Sequence, residues 1–123
     1  VILVDTGVWS RHFRTGDPHL AALLRAGRVA CHAWIVGELA LGPGMRLGHL
    51  EDLKRLRSVR TVEDAALLQF VTLHRLRSIG WVDAQLLAAT LEAGAQLWTT
   101  DLALAALAAR FEVGYQQGEQ HEG

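Results

Sequence analysis

The sequence predicts an α/β fold, a sandwich around a mainly parallel central sheet. Short apolar runs, VILVD, RVACH, AQLWT and EVGY, alternate with longer stretches whose leucines recur at helical spacing. The first run is apolar on both faces, as befits a strand covered on both sides. Strands alternating with helices favour a parallel sheet with helices packed on it. At 123 residues, half of them hydrophobic, the chain suits one domain with a sizeable core.

Residues 1–5 read as a buried strand that ends in the Asp5 carboxylate. Val8, Trp9 and Phe13 mark a short helix. Asp17-Pro18 is a helix start, with Asp17 as N-cap and Pro18 in the first turn. Leu20, Leu23 and Leu24 supply its apolar stripe and Gly27 its end. A second strand is expected at 28–32, then a helix from Ala33 to Leu41 stopped by Gly42-Pro43-Gly44. Residues 46–57 carry Leu47, Leu50, Leu53 and Leu56 between charges, another helix, and 58–61 a brief strand. Thr61 to Asp64 resembles a capping box, opening a long helix expected to end near Gly80. Asp83 to Ala93 is a further helix with Gly94 after it, 95–99 a strand, 101–110 a helix and 112–115 a last short strand. Residues 116–123 form a polar tail expected to fray.

Cys31 is the sole cysteine, so an intrachain disulfide and a multi-cysteine zinc site are both excluded. The apolar stretch after Asp83 is broken by Glu92 and Asp101, too soon for a spanning helix, and VILVD lacks the basic flank of a signal peptide. A cytoplasmic location without membrane contact is the expectation. The net charge of -1 gives no global basic footprint. Arg46, Lys54, Arg55, Arg57 and Arg60 are grouped, as are His74, Arg75 and Arg77, and each group reads equally well as a solvated helix face.

Four acids stand where such a sheet presents ligands. Asp5 ends the first strand, Asp101 lies just past AQLWT, Asp83 opens the preceding helix, and Glu38 sits in the helix after the second strand. Sites in open α/β sheets form outside the carboxyl ends of the strands. Asp83 and Asp101 each also read as plain N-caps, and Glu38 as an exposed helix residue. Asp5 is harder to dismiss, because an unpaired carboxylate closing a buried strand is costly. Clustered acids repel unless a cation neutralises them, and an oxygen-only set favours Mg²⁺, with Mn²⁺ as substitute, over zinc.

VILVDTGVW, GELALG, WVDAQLLAA and LWTTDLAL occur in an order and spacing that resemble PIN-domain proteins, and within them the VapC toxins of VapBC toxin–antitoxin pairs. The resemblance runs over 1–115, a PIN-like nuclease domain, and implies a three-layer α/β/α sandwich with a mainly parallel central sheet. It implies a Mg²⁺-dependent endoribonuclease that cuts RNA phosphodiesters with metal-activated water. It also implies frequent homodimers and neutralisation by a VapB-like antitoxin. Asp5, Glu38, Asp83 and Asp101 match the family's catalytic, metal-holding acids; Thr6 and Thr99 match hydroxyls beside the first and last acids that support ligands or orient substrate. Gly7 and Thr100 depart from the pattern, where relatives carry Ser or Asn and Arg or Asn respectively.

Other classes fit these residues less fully. An aspartyl phosphatase wants a second Asp where Gly7 stands, and a phosphoacceptor receiver wants paired acids and a late lysine, whereas Lys54 is the only lysine. A catalytically inactive PIN-like interaction module is the third alternative. Trp9, Trp34, Trp81 and Trp98 are chiefly core candidates, and the six histidines show no ligand spacing.

Overall fold

A computed structural model describes residues 1–117; the rest of the polar tail lies outside the described residues. The chain runs β1 (Ile2–Val4), α1 (Thr6–Thr15), α2 (Pro18–Arg25), β2 (Val29–Cys31), α3 (Ala33–Leu41), α4 (Leu47–Lys54), β3 (Arg57–Ser58), α5 (Asp64–Leu73), α6 (Trp81–Ala93), β4 (Gln96–Trp98) and α7 (Leu102–Arg110). The strands form one parallel sheet in the order β3-β2-β1-β4. Leu3 pairs with Ala30 on one side and with Leu97 on the other. This is the expected α/β/α sandwich.

The central position of β1 explains its composition. Ile2, Leu3 and Val4 are fully buried, because helices cover both faces and strands both edges. Helix α1 packs on α3 and α3 on α4, while α6 packs on α5, α7 and β4. Every residue of α6 from Ala84 to Thr90 is buried, which accounts for a segment without a polar face. Among the described residues no helix is long and apolar enough to cross a membrane.

The Asp17 cap forms as expected, its side chain accepting the Leu20 N–H at 3.0 Å with Pro18 next to it. Other boundaries move. Helix α1 begins at Thr6, so Asp5 is its N-cap. Helix α4 ends at Lys54, which lets the short edge strand start at Arg57. No capping box forms at Thr61: Glu63 is the N-cap of α5 and makes no side-chain cap bond. Helix α5 stops at Leu73, well before Gly80. Arg75 adopts φ 53°, its N–H bonds the Thr72 carbonyl, and the Leu76 N–H bonds the Val71 carbonyl. That is a Schellman ending without the glycine that normally signals one. Gly80 instead caps the start of α6. At 112–115 the strand shrinks to one parallel bridge, Leu97 to Gly114, because Glu112 at φ 61° still belongs to the close of α7.

A buried polar node ties the two halves together. His32 caps α3 through Nδ1, which accepts the Trp34 N–H at 2.9 Å. That leaves Nε2 to carry the proton, facing Gln85 Oε1 at 3.4 Å. Gln85 also accepts the Val62 N–H at 2.8 Å and donates to the Val62 carbonyl at 2.9 Å. His32 and Gln85 are both fully buried. Burial lowers the His32 pKa, against a smaller opposing contribution from Gln85.

Gln85→Leu strands the Val62 N–H and carbonyl and the His32 ring in the core, and should cost about 2–4 kcal/mol in urea unfolding. The neutral His32 gives a signed pH dependence. Its folded pKa lies below the unfolded value of about 6.5, so the unfolded chain takes up the proton first and stability falls as pH drops through that value. The stability advantage of wild type over His32→Asn should therefore shrink between pH 7.5 and 5; a constant difference would show that the ring is not held neutral.

Candidate functional site

In the order β3-β2-β1-β4 the chain leaves β1 toward β2 on one side, while β4 lies on the other, so the carboxyl ends of β1 and β4 flank a topological switch point. Asp5 follows β1, and Thr99 and Asp101 follow β4. The Asp5 N–H donates to the Trp98 carbonyl at 2.9 Å, holding the two strand ends level. The Asp5 side chain accepts from the Thr6 N–H at 2.7 Å and, across the strand gap, from Thr99 Oγ1 at 2.7 Å. Thr99 Oγ1 in turn accepts the Asp101 N–H at 3.1 Å. Asp101 caps α7 by accepting the Leu104 N–H at 3.0 Å. On the other flank Thr6 Oγ1 donates to Glu38 Oε1 at 2.7 Å. Two threonines thus link three of the four acids.

Asp83 joins the group electrostatically. It lies in the first turn of α6, not at its N-cap, because the helix begins at Trp81. Burial raises its pKa, and the charges of Asp5, Asp101 and Glu38 raise it further, against a hydrogen bond from the Gly80 backbone. All three other acids therefore act on one carboxyl. Asp5, Asp83 and Asp101 each sit at a helix N-terminus, where unpaired N–H groups and the helix dipole favour negative charge. Glu38 is exposed on α3. As they stand, no three His, Cys, Asp or Glu side chains among the described residues close on one point as a finished ligand shell. The threonines and backbone amides occupy the Asp5 oxygens and one oxygen each of Glu38 and Asp101.

Gly7 and Thr100, the two departures from the family pattern, sit against each other. A Cβ on Gly7 would meet Thr100 Oγ1 at 3.2 Å, so a larger residue at 7 needs Thr100 to move. Cys31 takes no part: it is buried and its thiol is pushed up to about 11 by burial. Lys54 is paired with Glu51 at 3.1 Å on the exposed side of α4, as Arg55 is with Asp52. Those cations are a solvated helix face. Trp9 and Trp98 are core residues, whereas Trp81 is 44% exposed.

Two further residues near the site are not evident from the sequence. Ser10 and Arg14 follow Thr6 at four-residue steps along α1, and all three border a cavity of about 510 Å³ that reaches Glu38. Beginning the helix at Thr6 is the signal that reveals them.

The PIN domain family model matches residues 2–110. The chain is 41% identical over 113 residues to Ribonuclease VapC32 of Mycobacterium tuberculosis, in strains CDC 1551 / Oshkosh and H37Rv, covering 89% of this chain and 91% of the relative. The crystal structure of FitAcB from Neisseria gonorrhoeae is similar in fold, with a TM-score of 0.60, 20% identity, and coverage of 95% of this chain and 98% of that one.

The raised Asp83 pKa predicts a stability test. The folded state holds that proton above the pH at which the unfolded carboxyl, near 4, has lost it. Its contribution is thus present at low pH and lost as pH rises through the unfolded and then the folded pKa. In EDTA at pH 7, Asp83→Asn should melt at or above the wild-type temperature, and the gap should narrow toward pH 4. A clearly lower melting temperature at pH 7 would mean that the charged carboxylate is stabilising.

Proposed function

The chain belongs to the PIN-domain family, and on that premise we propose that it is a VapC-type endoribonuclease whose Asp5, Glu38, Asp83 and Asp101 hold Mg²⁺, or Mn²⁺ in its place. The observation that carries the proposal is the hydrogen-bonded juxtaposition of Asp5, Asp101 and Glu38 through Thr99 and Thr6, with Asp83 under the influence of all three charges. A cluster that raises the proton affinity of its own member attracts any cation, and its all-oxygen donor set suits a hard one. When bound, such an ion draws in a phosphate oxygen, lowers the pKa of a water and stabilises the leaving oxygen. The name of the mycobacterial relative supports RNA as the substrate.

The protein's own part is orientation. Thr99 fixes the Asp5 carboxylate from the neighbouring strand and Thr6 fixes Glu38. The α1 and α7 N-termini hold Asp5 and Asp101 in place without spending a basic side chain on them. The exposed Glu38 and Asp101 leave the site open to a polymer. The same acids would accept a cationic side chain from a VapB-like antitoxin, an Arg suiting paired carboxylates best. Homodimer formation and a cytoplasmic setting complete the proposal.

Asp5→Asn and Asp101→Asn should each abolish Mg²⁺-dependent cleavage of single-stranded RNA. The double variant should be no worse than either, because groups acting as one unit are not additive. Gel assays with Mg²⁺ and with EDTA measure this, and full cleavage by Asp5→Asn would reject the acid site.

A further inference from the structure

Helix α1 presents a second chemical feature beside the acids. Thr6, Ser10 and Arg14 are spaced by four residues, so their side chains form one row along the helix. The row borders the 510 Å³ cavity, whose opposite wall is Glu38, Met45 and the Gly42–Gly44 turn. At 1.5 Å per residue, Arg14 lies about 12 Å along the helix from Thr6. One end of the groove is therefore carboxylate and the other guanidinium, with two hydroxyls between.

Arg14 is exposed and has no ion-pair partner among the described residues, unlike Arg11 on the same helix, which pairs with Asp17 at 2.9 Å. Its place in the last turn of α1 complements the helix dipole. That position accounts for a cation there, but not for one lining the groove that opens on the acids. A polyanion approaching four carboxylates on a chain of net charge -1 needs a local cation. Ser10 and Arg14 offer hydrogen-bond donors, as anionic oxygens require, while the Thr6 hydroxyl donates to Glu38. Phe13, Leu39, Pro43 and Met45 complete the lining, an apolar floor beneath the charged and hydroxyl row.

Building on the ribonuclease reading, we propose that this groove seats the RNA strand beside the cut, with Arg14 binding a phosphate that is not the one cleaved and Ser10 bonding the intervening backbone. Arg14 is then a substrate-positioning residue that governs how long an RNA must be to bind well.

The test uses the full chain carrying Asp101→Asn, with Mg²⁺ present, and a fluorescent single-stranded oligoribonucleotide followed by anisotropy over a salt series. Adding Arg14→Ala should weaken binding about tenfold. It should also flatten the slope of log affinity against log salt by about 0.7, the value of one phosphate contact to a single strand. Arg14→Lys should recover most of the slope, since a point charge suffices for a phosphate. Arg25→Ala, which removes an exposed cation outside the groove, should change neither. In the cleaving chain Arg14→Ala should raise KM about tenfold and leave kcat within about twofold, as loss of uniform binding does. Equal effects of Arg14→Ala and Arg25→Ala, or an unchanged slope, would overturn the groove. Unchanged RNA binding together with weakened capture of a co-expressed partner protein would assign it to that protein instead. Wild-type cleavage is scored separately. A chain that binds RNA with the Arg14-dependent slope but cuts none keeps the groove and loses the activity, whereas one that cuts RNA indifferent to Arg14 does the reverse.

Discussion

The hydrogen bond from Thr99 Oγ1 to Asp5 Oδ2 spans the point where the sheet reverses its strand order. Everything at the site hangs from it. β1 and β4 arrive from distant parts of the sequence, and only their pairing makes Asp5 and Asp101 neighbours. The Asp5 N–H bond to Trp98 sets the strands level, and the threonine then orients the carboxylate. Because Thr99 also accepts the Asp101 N–H, one hydroxyl holds the side chain that follows β1 and the backbone that opens α7. The buried residues Ile2 to Val4 and the apolar helix α6 give this arrangement a rigid footing.

Four carboxylates near one strand edge are an electrostatic cost, and the fold meets much of it with helix N-termini. Asp5 and Asp101 cap α1 and α7, and Asp83 sits in the first turn of α6. Backbone N–H groups that would otherwise seek water bond these acids. The remaining repulsion collects on Asp83, the member whose burial already favours the neutral form. Such a cluster is stable enough to fold and still short of positive charge, the condition in which a cation gains most. Polar order elsewhere follows a different rule: the His32–Gln85 node is neutral and almost fully satisfied, and its task is to join α3 to α6.

Much of this was legible in the residues. The apolar run before Asp5, the Asp17-Pro18 start and the Gly27 and Gly94 stops each follow from local chemistry, and together they yield the fold class. Asp5, Asp83 and Asp101 are recognisable as candidates from their places at strand and helix ends, and Glu38 from its place within the helix after the second strand. Boundaries failed where an unusual residue took a specialised backbone position. Arg75 and Glu112 occupy left-handed sites that normally advertise themselves with glycine, so from the sequence α5 reads too long and the last strand too full. Gly80 reads as a stop but begins α6, and Asp83 reads as a cap but lies within the helix's first turn. The His32–Gln85 node was invisible because its partners are 53 residues apart and neither residue type predicts such a role. Ser10 and Arg14 carry no signal while only the apolar residues Val8, Trp9 and Phe13 mark the helix.

The central claim is that the four acids form one cation site. Isothermal titration of Mg²⁺ into the wild-type chain and into Asp5→Asn, Glu38→Gln, Asp83→Asn and Asp101→Asn, each first shown to be folded by circular dichroism, tests it without any substrate. The account predicts saturable binding to wild type that is weakened or lost in every one of the four variants. Saturable binding of unchanged affinity in all four, or no binding to the folded wild type at millimolar Mg²⁺, would contradict it.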